Sequence, residues 1–334
     1  MTVGAGHGPA AATLPRRRDA RSRRRRRRRA TLRLQNRVEY LAVRGVVGFL
    51  AALPLALAFR VGEAVMLLVY WIAVPIRRVG LTNLAIAFPD RPLAERKRIL
   101  RASVLNLGRM VAELAHLPHL SDEQLRDMVR FEDETWWREA IGWERPTGVL
   151  LLGGHFGNWE LLVYAHGRRG HPFTMVHRPM RNPLIDRWLN AFRARAGTRL
   201  VRKHHAATEV LRALRQKQLL VIPFDQNSTR NLGVFVDFFG VPASTNAGIA
   251  RIGLRADAPI VPGFIVRQGS SARHVVHLLP IIYPEHTGNP QADVLRTTQQ
   301  LSAIFEDMVR RHPEQWLWVH KRWKTRPDGE PKIY

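Results

Sequence analysis

Short apolar runs separated by amphipathic stretches fill the second half of the chain, and they limit the accessible folds more than any other feature. The runs lie at Val149 to Leu152, Phe173 to Val176, Leu219 to Phe224, Ile260 to Val266 and Val275 to Leu279. Runs of this length are typical of buried strands, and the stretches between them have the periodicity of helices. The sequence therefore predicts an α/β fold with a central, mostly mixed sheet flanked by helices.

The region before these runs has a helical pattern. Residues 92–130 carry apolar side chains at three- and four-residue intervals, and Ser121 to Gln124 has the composition of a helix start. A closing helix is predicted over residues 291–311. We expect the following organisation: an α/β domain at 79–326, with a helical layer at 79–145 and a sheet core at 146–326, and a C-terminal tail at 327–334.

Residues 1–36 are predicted to form a disordered, arginine-rich tail, because they offer little to bury and their charges repel one another. The whole chain has a net charge of +26, which predicts anionic partners such as a phosphorylated lipid or an acidic carrier protein. A basic nucleic-acid-binding protein is an alternative of another class. Since the charge is concentrated in the tail and an apolar segment follows it, we expect no nucleic-acid partner.

Two apolar stretches, Gly45 to Phe59 and Ala64 to Pro75, follow the arginines and are separated by Arg60 and Glu63. Each stretch is shorter than the ~20 residues that cross a bilayer. We interpret residues 37–78 as an N-terminal membrane-associated helical segment, either one tilted span or a hairpin in the interface, with the arginines on the cytoplasmic side. A cleaved signal peptide and a buried helical pair are the alternatives.

A histidine and a glutamate five residues apart follow the first predicted strand. The segment reads Gly153-Gly154-His155-Phe156-Gly157-Asn158-Trp159-Glu160. A glycine-rich turn can bring Glu160 back to His155, so that the carboxylate accepts one imidazole N–H and the other ring nitrogen takes a proton from a substrate hydroxyl. No serine or cysteine lies in the segment, so direct transfer without a covalent enzyme intermediate is predicted. A capping and packing role is the alternative reading.

With its flanking motifs, the segment from His155 to Glu160 resembles the HX4D/E signature of the lysophospholipid acyltransferase superfamily. From about Arg37 to Arg326 the chain is similar to the bacterial lipid A lauroyl/myristoyl acyltransferases. The flanking motifs are Asn83-Leu84, Phe88-Pro89-Asp90, Glu113, Arg178-Pro179, Asp225-Gln226, Gly233 to Gly240, Trp316-Leu317-Trp318 and Arg322-Trp323-Lys324. The arginine-rich tail has no counterpart in that pattern.

The resemblance implies an enzyme on the cytoplasmic side of the bacterial inner membrane that moves a fatty acyl chain from acyl carrier protein to a hydroxyl of a lipid A precursor. His155 would be the general base and Glu160 would orient it, while backbone amides near Gly157 and Asn158 would bind the oxyanion. Acyl-CoA as the donor, and another acceptor such as a phosphatidylinositol mannoside or an aminolipid, are alternatives. A membrane scaffold without catalysis is a further one.

Three more residues are predicted to bind substrate. Arg178 occupies a position where the family has an arginine, and it would pair with a phosphate. Asp225 ends a predicted strand, where a carboxylate commonly faces the site of an α/β sheet. Asp237 lies in the stretch Val234 to Phe239, which would line an acyl-chain tunnel or pack in the core. No metal and no other cofactor are predicted, because the remaining histidines lack acidic residues at ligand spacing.

Overall fold

The computed structural model describes Gly4 and residues 16–132, 134–141, 146–177, 179–202 and 206–334. The helices are α1 Arg16–Ala52, α2 Leu55–Ile72, α3 Val74–Ala87, α4 Leu93–His116, α5 Asp122–Met128, α6 Thr135–Ile141, α7 Trp159–Arg168, α8 Pro183–Ala194, α9 Ala206–Arg215, α10 Gly248–Ala256 and α11 Pro290–Arg311. The strands are β1 Val129–Phe131, β2 Val149–Gly153, β3 Phe173–His177, β4 Arg199–Arg202, β5 Leu219–Pro223, β6 Gly233–Phe238, β7 Val241–Asn246, β8 Ile260–Arg267 and β9 His274–Leu278.

The main sheet has seven strands in the order β1-β9-β8-β2-β5-β3-β4. Strands β8, β2, β5, β3 and β4 run parallel to one another, β9 is antiparallel to β8, and β1 is parallel to β9. Every residue of β2 is buried, as expected for a central strand covered on both faces. The predicted α/β fold, with a mixed sheet flanked by helices, is confirmed.

The five predicted strands correspond to β2, β3, β5, β8 and β9, whereas the sequence does not predict the other four. Strands β1 and β4 are only three and four residues long and lie at the two edges of the sheet. Strands that short carry little periodic signal. Strands β6 and β7 form a separate antiparallel hairpin.

The predicted helical layer is built around α4, which packs against α1, α2 and α3. Helices α2 and α4 cross closely at Gly62 and Gly108, where a Cβ on Gly62 would lie 2.5 Å from the carbonyl oxygen of Gly108. Ser121 caps α5 through a capping box. Its hydroxyl accepts from the Gln124 N–H at 3.1 Å, and the Gln124 side chain accepts from the Ser121 N–H at 2.9 Å.

The structure differs from the prediction in the arginine-rich segment. Residues 16–36, expected to be disordered, belong to helix α1. Arginine has a high helix propensity, and no glycine or proline interrupts the sequence between Arg16 and Arg44. Residues 1–3 and 5–15 lie outside the described residues.

Large apolar side chains on α1 and α2 are exposed. They are Leu32, Leu34, Val38, Leu41, Val46, Phe49, Leu57, Val65, Leu68, Val69, Trp71 and Ile72. In the described part of the chain, α2 alone is long and apolar enough to cross a bilayer. Buried residues make up 22% of this helix. Some core helices and signal sequences share its length and composition. Exposed apolar groups of this size on two neighbouring helices mark an interaction surface.

The segment predicted to be a C-terminal tail, residues 327–334, contacts the domain through its last residue. Tyr334 packs on the main hydrophobic core, and its hydroxyl forms a hydrogen bond with the side chain of Asn83 in α3. Burial raises the pKa of Tyr334 to about 12. The last residue of the chain is therefore part of the packed structure.

Candidate active site

Two neighbouring parallel strands bring His155 and Asp225 together. Strands β2 and β5 pair with Gly153 opposite Pro223, and each strand is followed two residues later by one member of the pair. The carboxyl ends of parallel strands lie at one edge of a sheet, where ligands of α/β proteins bind. Residues 70 positions apart in the sequence therefore meet.

His155 and Asp225 form a hydrogen-bonded pair, with 3.0 Å between Nδ1 and Oδ1. An ionised carboxylate can only accept, so Nδ1 carries the proton and Nε2 is the basic nitrogen. The indole N–H of Trp316 donates to the other carboxylate oxygen, Oδ2, at 3.0 Å. The side chain of Asp225 is 3% exposed and that of His155 is 24% exposed. The carboxylate is thus enclosed, whereas the imidazole reaches the surface.

The environment moves the pKa values of the pair in opposite directions. Burial alone would raise the pKa of Asp225, but the charge and hydrogen bond of His155, with the hydrogen bond from Trp316, lower it to about 2. Burial alone would lower the pKa of His155, but the charge and hydrogen bond of Asp225 and the charge of Glu160 raise it above its ordinary value. Asp225 is therefore ionised at neutral pH, and it makes His155 more basic.

The predicted hydrogen bond between Glu160 and His155 is wrong, because Asp225 occupies that position. Helix α7 begins at Trp159, so Glu160 lies in its first turn, where it is buried. Arg193, in the last turn of α8, binds Glu160 through two N–H···O bonds: Nε donates to Oε2 at 2.9 Å, and Nη2 donates to Oε1. Glu160 influences His155 through its charge.

Gly157 forms the turn between the strand and the helix. Its φ is 57°, and a Cβ at this position would lie 1.8 Å from the carbonyl oxygen of Ile265, so only glycine fits. Its N–H donates to the carbonyl of Gln315 at 2.8 Å. This amide therefore already has a partner inside the protein, and its predicted use to bind substrate is not supported by its geometry.

The side chain of Asn158 also has internal partners, whereas the use of a backbone amide near Asn158 to bind the oxyanion stays a prediction. It is buried, and its side-chain oxygen accepts from the Leu161 N–H at 3.0 Å, which caps α7. Its side-chain NH2 donates to Oε2 of Glu113 in α4 at 2.7 Å. Asn158 therefore fixes the start of α7 on the helical layer.

A second acid–base pair lies behind this turn. Glu113 and Arg267 of β8 are joined by two hydrogen bonds, Nη2 to Oε2 at 2.6 Å and Nη1 to Oε1, and their side chains are 0% and 1% exposed. The Nε of Arg267 donates to the side-chain oxygen of Asn106 at 2.6 Å. Together with Asn158, this cluster joins α4, β8 and the beginning of α7 at one point.

The other two predicted binding residues have different outcomes. Asp237 is exposed, and its Oδ1 accepts from the Gly240 N–H at 2.9 Å, which stabilises the turn of the β6–β7 hairpin. Within the described residues no contact joins it to His155, and its role in binding substrate stays a prediction. Phe238 beside it packs against Trp316, and this stretch belongs to the core. Arg178 lies outside the described residues.

Arg193, Trp316 and Gln226 belong to the site, although the sequence assigns them no role. The amide nitrogen of Gln226 is 3.3 Å from Nδ1 and 3.4 Å from Nε2 of His155, and the ring of Trp159 meets the imidazole edge-on with centroids 5.0 Å apart. Trp316 and Gln226 stand in the motifs quoted above, which is a signal that points to them. Arg193 has no such signal, because many helices of this chain end in arginine.

The arrangement has the geometry that a general base needs, because an exposed imidazole is oriented by an enclosed carboxylate. Its parts come from the ends of β2 and β5 and from the segment that carries Trp316. Among the described residues, no group of three or more histidine, aspartate or glutamate side chains is arranged to hold a metal ion.

Comparisons with known proteins identify similar acyltransferases. The lipid A biosynthesis lauroyltransferase of Escherichia coli is 26% identical over 298 residues, which cover 87% of this chain and 92% of that protein. The lipid A biosynthesis myristoyltransferase of the same organism is 26% identical and covers 77% of this chain and 78% of its own. A lipid A biosynthesis acyltransferase of Haemophilus influenzae is 25% identical, with 75% and 79% covered.

Among solved structures, the 1-acyl-sn-glycerophosphate acyltransferase of Thermotoga maritima is 11% identical and covers 73% of this chain and 99% of its own, with a TM-score of 0.36. That score is too low to show a shared fold. The family model for bacterial lipid A biosynthesis acyltransferases, in contrast, matches residues 26–325 and so includes the whole site. The chain therefore belongs to the bacterial lipid A biosynthesis acyltransferase family and is an acyltransferase.

Proposed function

We propose that the protein is a membrane-associated O-acyltransferase that moves a fatty acyl chain from acyl carrier protein to a hydroxyl of a lipid A precursor. His155 is the general base, and Asp225 orients it and stabilises its charge. The observation that carries the proposal is the 3.0 Å hydrogen bond between Nδ1 of His155 and Asp225, because it leaves Nε2 as the proton acceptor at the surface of the site.

The reaction needs one proton to leave the acceptor and one to reach the leaving group. Nε2 of His155 takes the hydroxyl proton as the oxygen attacks the carbonyl carbon of the acyl thioester. The electron pair of the C=O bond moves onto oxygen and returns when the C–S bond breaks. Nε2 then gives its proton to the departing thiolate. Asp225 stabilises the imidazolium between these two transfers.

Glu160 has an electrostatic and structural role in this proposal. Its charge raises the pKa of His155, and the charge of Arg193 opposes that effect. Their two-point ion pair also joins the first turn of α7 to the last turn of α8. Glu160 therefore supports the base from a distance, while the contact at Nδ1 belongs to Asp225.

The charge of the chain and the names of its relatives support the choice of substrates. Lauroyl-, myristoyl- and palmitoleoyltransferases of lipid A biosynthesis are all similar to this chain. Their names specify different acyl chains but the same pathway, lipid A biosynthesis. A net charge of +26 complements both an anionic glycolipid and an acidic carrier protein. The charge and the relatives' names support a lipid A precursor as the acceptor and an anionic acyl donor, and the resemblance of the motifs favours acyl carrier protein as that donor.

The N-terminal helices support membrane association on the cytoplasmic side of the inner membrane. Exposed apolar side chains on α1 and α2 are suited to the acyl region, and the arginines at the start of α1 are suited to anionic headgroups. Each arginine near an anionic leaflet contributes about 1 kcal/mol of attraction.

Changing Arg23 to Arg29 to glutamine should therefore weaken binding to anionic vesicles, measured by flotation, while leaving turnover in detergent intact.

The proposed reaction is tested by incubating the purified protein with acyl-loaded carrier protein and a lipid A precursor, and by following the lipid with mass spectrometry. We expect the mass of one acyl chain to be added, and His155→Ala to abolish the addition. Parallel reactions contain acyl-CoA as the donor, or a phosphatidylinositol mannoside or an aminolipid as the acceptor.

Each arm of this assay decides one part of the proposal. Equal transfer by a folded His155→Ala variant would exclude the general-base mechanism. Faster transfer from acyl-CoA than from carrier protein would exclude the assigned donor. Transfer to an alternative acceptor, with none to the lipid A precursor, would exclude the assigned acceptor but not the acyl-transfer chemistry.

A further inference from the structure

The side chain of Gln226 lies against the imidazole of His155 and is not used by the mechanism described above. Its amide nitrogen is 3.3 Å from Nδ1 and 3.4 Å from Nε2 of that ring. Nearly equal distances to both ring nitrogens place the amide nitrogen midway between them, so it is not aligned with the lone pair of either one. Since the Nδ1 proton is donated to Asp225, the amide of Gln226 is not needed to orient the base.

The backbone on both sides of Gln226 is fixed, although its side chain is exposed. Asp225 before it is held by His155 and Trp316. Asn227 after it donates its N–H to Nε2 of His320 at 2.9 Å and exchanges two hydrogen bonds with Thr325, at 2.9 and 3.1 Å. The backbone of Gln226 is therefore held beside His155, while its exposed side chain can still rotate.

Acyl transfer requires a donor for the negative charge that develops on the carbonyl oxygen. The amide of Gly157, which the motif suggests, donates to Gln315, and the side chain of Asn158 donates to Glu113. Within the described residues, Gln226 carries the side-chain amide next to the base, and its nitrogen has no other hydrogen-bond partner there.

The positions that the attacking hydroxyl and the thioester carbonyl must take place Gln226 beside the reacting atoms. A hydroxyl that donates to Nε2 of His155 lies at the ring edge, and the carbonyl carbon that it attacks is one bond further. The amide nitrogen, 3.4 Å from Nε2, reaches the oxygen on that carbon by rotation about the bonds of its own exposed side chain.

We propose that Gln226 is a catalytic residue that donates its side-chain N–H to the thioester carbonyl oxygen as that oxygen becomes an oxyanion. This inference rests on the acyl transfer proposed above. The hydroxyl proton passes to Nε2, the new C–O bond forms and the carbonyl π pair moves onto oxygen, where the amide of Gln226 stabilises it. The pair then returns, the C–S bond breaks, and the proton leaves Nε2 for the thiolate.

The test compares wild-type protein with Gln226→Ala, Gln226→Glu and the matched control Asn231→Ala, which removes another exposed side-chain amide from the same connection. Loss of one oxyanion donor should lower kcat of Gln226→Ala by about 10² to 10³-fold, with KM for both substrates changed by less than about threefold. Asn231→Ala should keep kcat within about twofold of wild type. Thermal denaturation of each variant checks that the fold is intact.

The pH profile separates oxyanion binding from a positioning effect on His155. Gln226 is neutral, whereas Asp225, Glu160 and Arg193 are the charged groups that act on the imidazole. The acidic limb of the kcat profile should therefore stay in place in Gln226→Ala. In Gln226→Glu a new carboxylate should move the limb to higher pH and repel the oxyanion, so kcat should be at least as low.

Three results would overturn the assignment: a kcat of Gln226→Ala within about threefold of wild type, a loss confined to KM, or an acidic limb displaced together with the loss in kcat. The last result would make Gln226 a positioning residue. If folded wild-type protein transfers no acyl chain, the proposed function itself fails and this inference fails with it. Activity that is lost in His155→Ala and kept in Gln226→Ala leaves the proposed function standing and removes only the inference.

Discussion

Two acid–base pairs lie on either side of the turn at Gly157, and they differ in their access to solvent. In the pair of His155 and Asp225, the imidazole is 24% exposed and the carboxylate 3% exposed. In the pair of Glu113 and Arg267, both side chains are at most 1% exposed. The first pair has one ring nitrogen that can gain and lose a proton. In the second, the carboxylate accepts from Arg267 and Asn158.

The difference shows how the segment around Gly157 combines an accessible group that can change its protonation state with an enclosed ion pair that holds the backbone in place. In the proposed mechanism, turnover requires a group that changes its protonation state, so His155 has to remain accessible to substrate. The position of that group requires rigid neighbours, and the enclosed pair provides them because removal of either partner would leave the other buried without its partner. Burial raises the pKa of Glu113, and the hydrogen bonds and charge of Arg267 oppose that effect. If this division is correct, damage to the first pair affects mainly rate, and damage to the second affects mainly stability.

Asp225→Asn breaks the first pair and should have the largest effect. An asparagine can donate its NH2 to Nδ1, which forces the ring proton onto Nε2 and removes the base. We expect kcat to fall about 10⁴-fold, equivalent to about 5 kcal/mol of transition-state stabilisation. Initial rates at saturating substrate measure this loss, and Asp307→Asn, which neutralises an exposed acid of α11, should leave the rate unchanged. A loss below about tenfold would assign the orienting role to another group.

Glu113→Gln breaks the second pair and should act on stability. It leaves the guanidinium of Arg267 buried without its counter-charge, which lowers the free energy of unfolding by about 3 to 5 kcal/mol. Denaturant unfolding followed by circular dichroism measures this change. The double variant Glu113→Leu/Arg267→Met removes both charges and should recover part of the loss. A Glu113→Gln protein of wild-type stability would show that the pair does not hold the turn.

These two pairs also show what a sequence can and cannot reveal. His155 and Glu160 stand in one short motif, so the motif suggests that they touch. The contact of His155 with Asp225 depends on the adjacency of β2 and β5, which no local pattern contains. Likewise, Glu160 turns to Arg193 because α7 starts at Trp159 and α8 packs beside it. The strands with long apolar runs are predictable, whereas side-chain partners depend on the topology that joins them.

As pH rises through the raised pKa of His155, the catalytic rate should increase while the contribution of the first pair to the free energy of unfolding should decrease. Asp225 has its pKa lowered from 3.8 to about 2, so its stabilising contribution is present above 3.8 and is lost as pH falls toward 2; this amounts to about 2 kcal/mol. His155 has its pKa raised above 6.5, so its contribution is complete below 6.5 and is lost as pH rises through the raised value. As the proposed general base, His155 is active only on the alkaline side of that value.

The interaction should therefore stabilise the fold most between the ordinary pKa values, 3.8 and 6.5, while kcat should rise above that window. Unfolding of wild type and Asp225→Asn at several pH values, beside kcat profiles of wild type, measures both trends. The stability difference between the two proteins should shrink as pH increases past the acidic limb of kcat. A difference that grows with pH would contradict the assigned protonation states.

Ser121→Ala should have the smallest effect, because its interaction lies at the surface and away from both pairs. The change removes the hydroxyl that accepts from the Gln124 N–H at 3.1 Å, and loss of such a cap lowers the free energy of unfolding by about 1 kcal/mol. Ser121→Asp keeps a capping oxygen and should restore most of the stability. Denaturant unfolding measures both variants, and kcat per folded molecule should equal that of wild type. A lower kcat would show that α5 influences the site through α7, against which it packs. Rate would then depend on residues outside the pair of His155 and Asp225, and the division between rate and stability would fail.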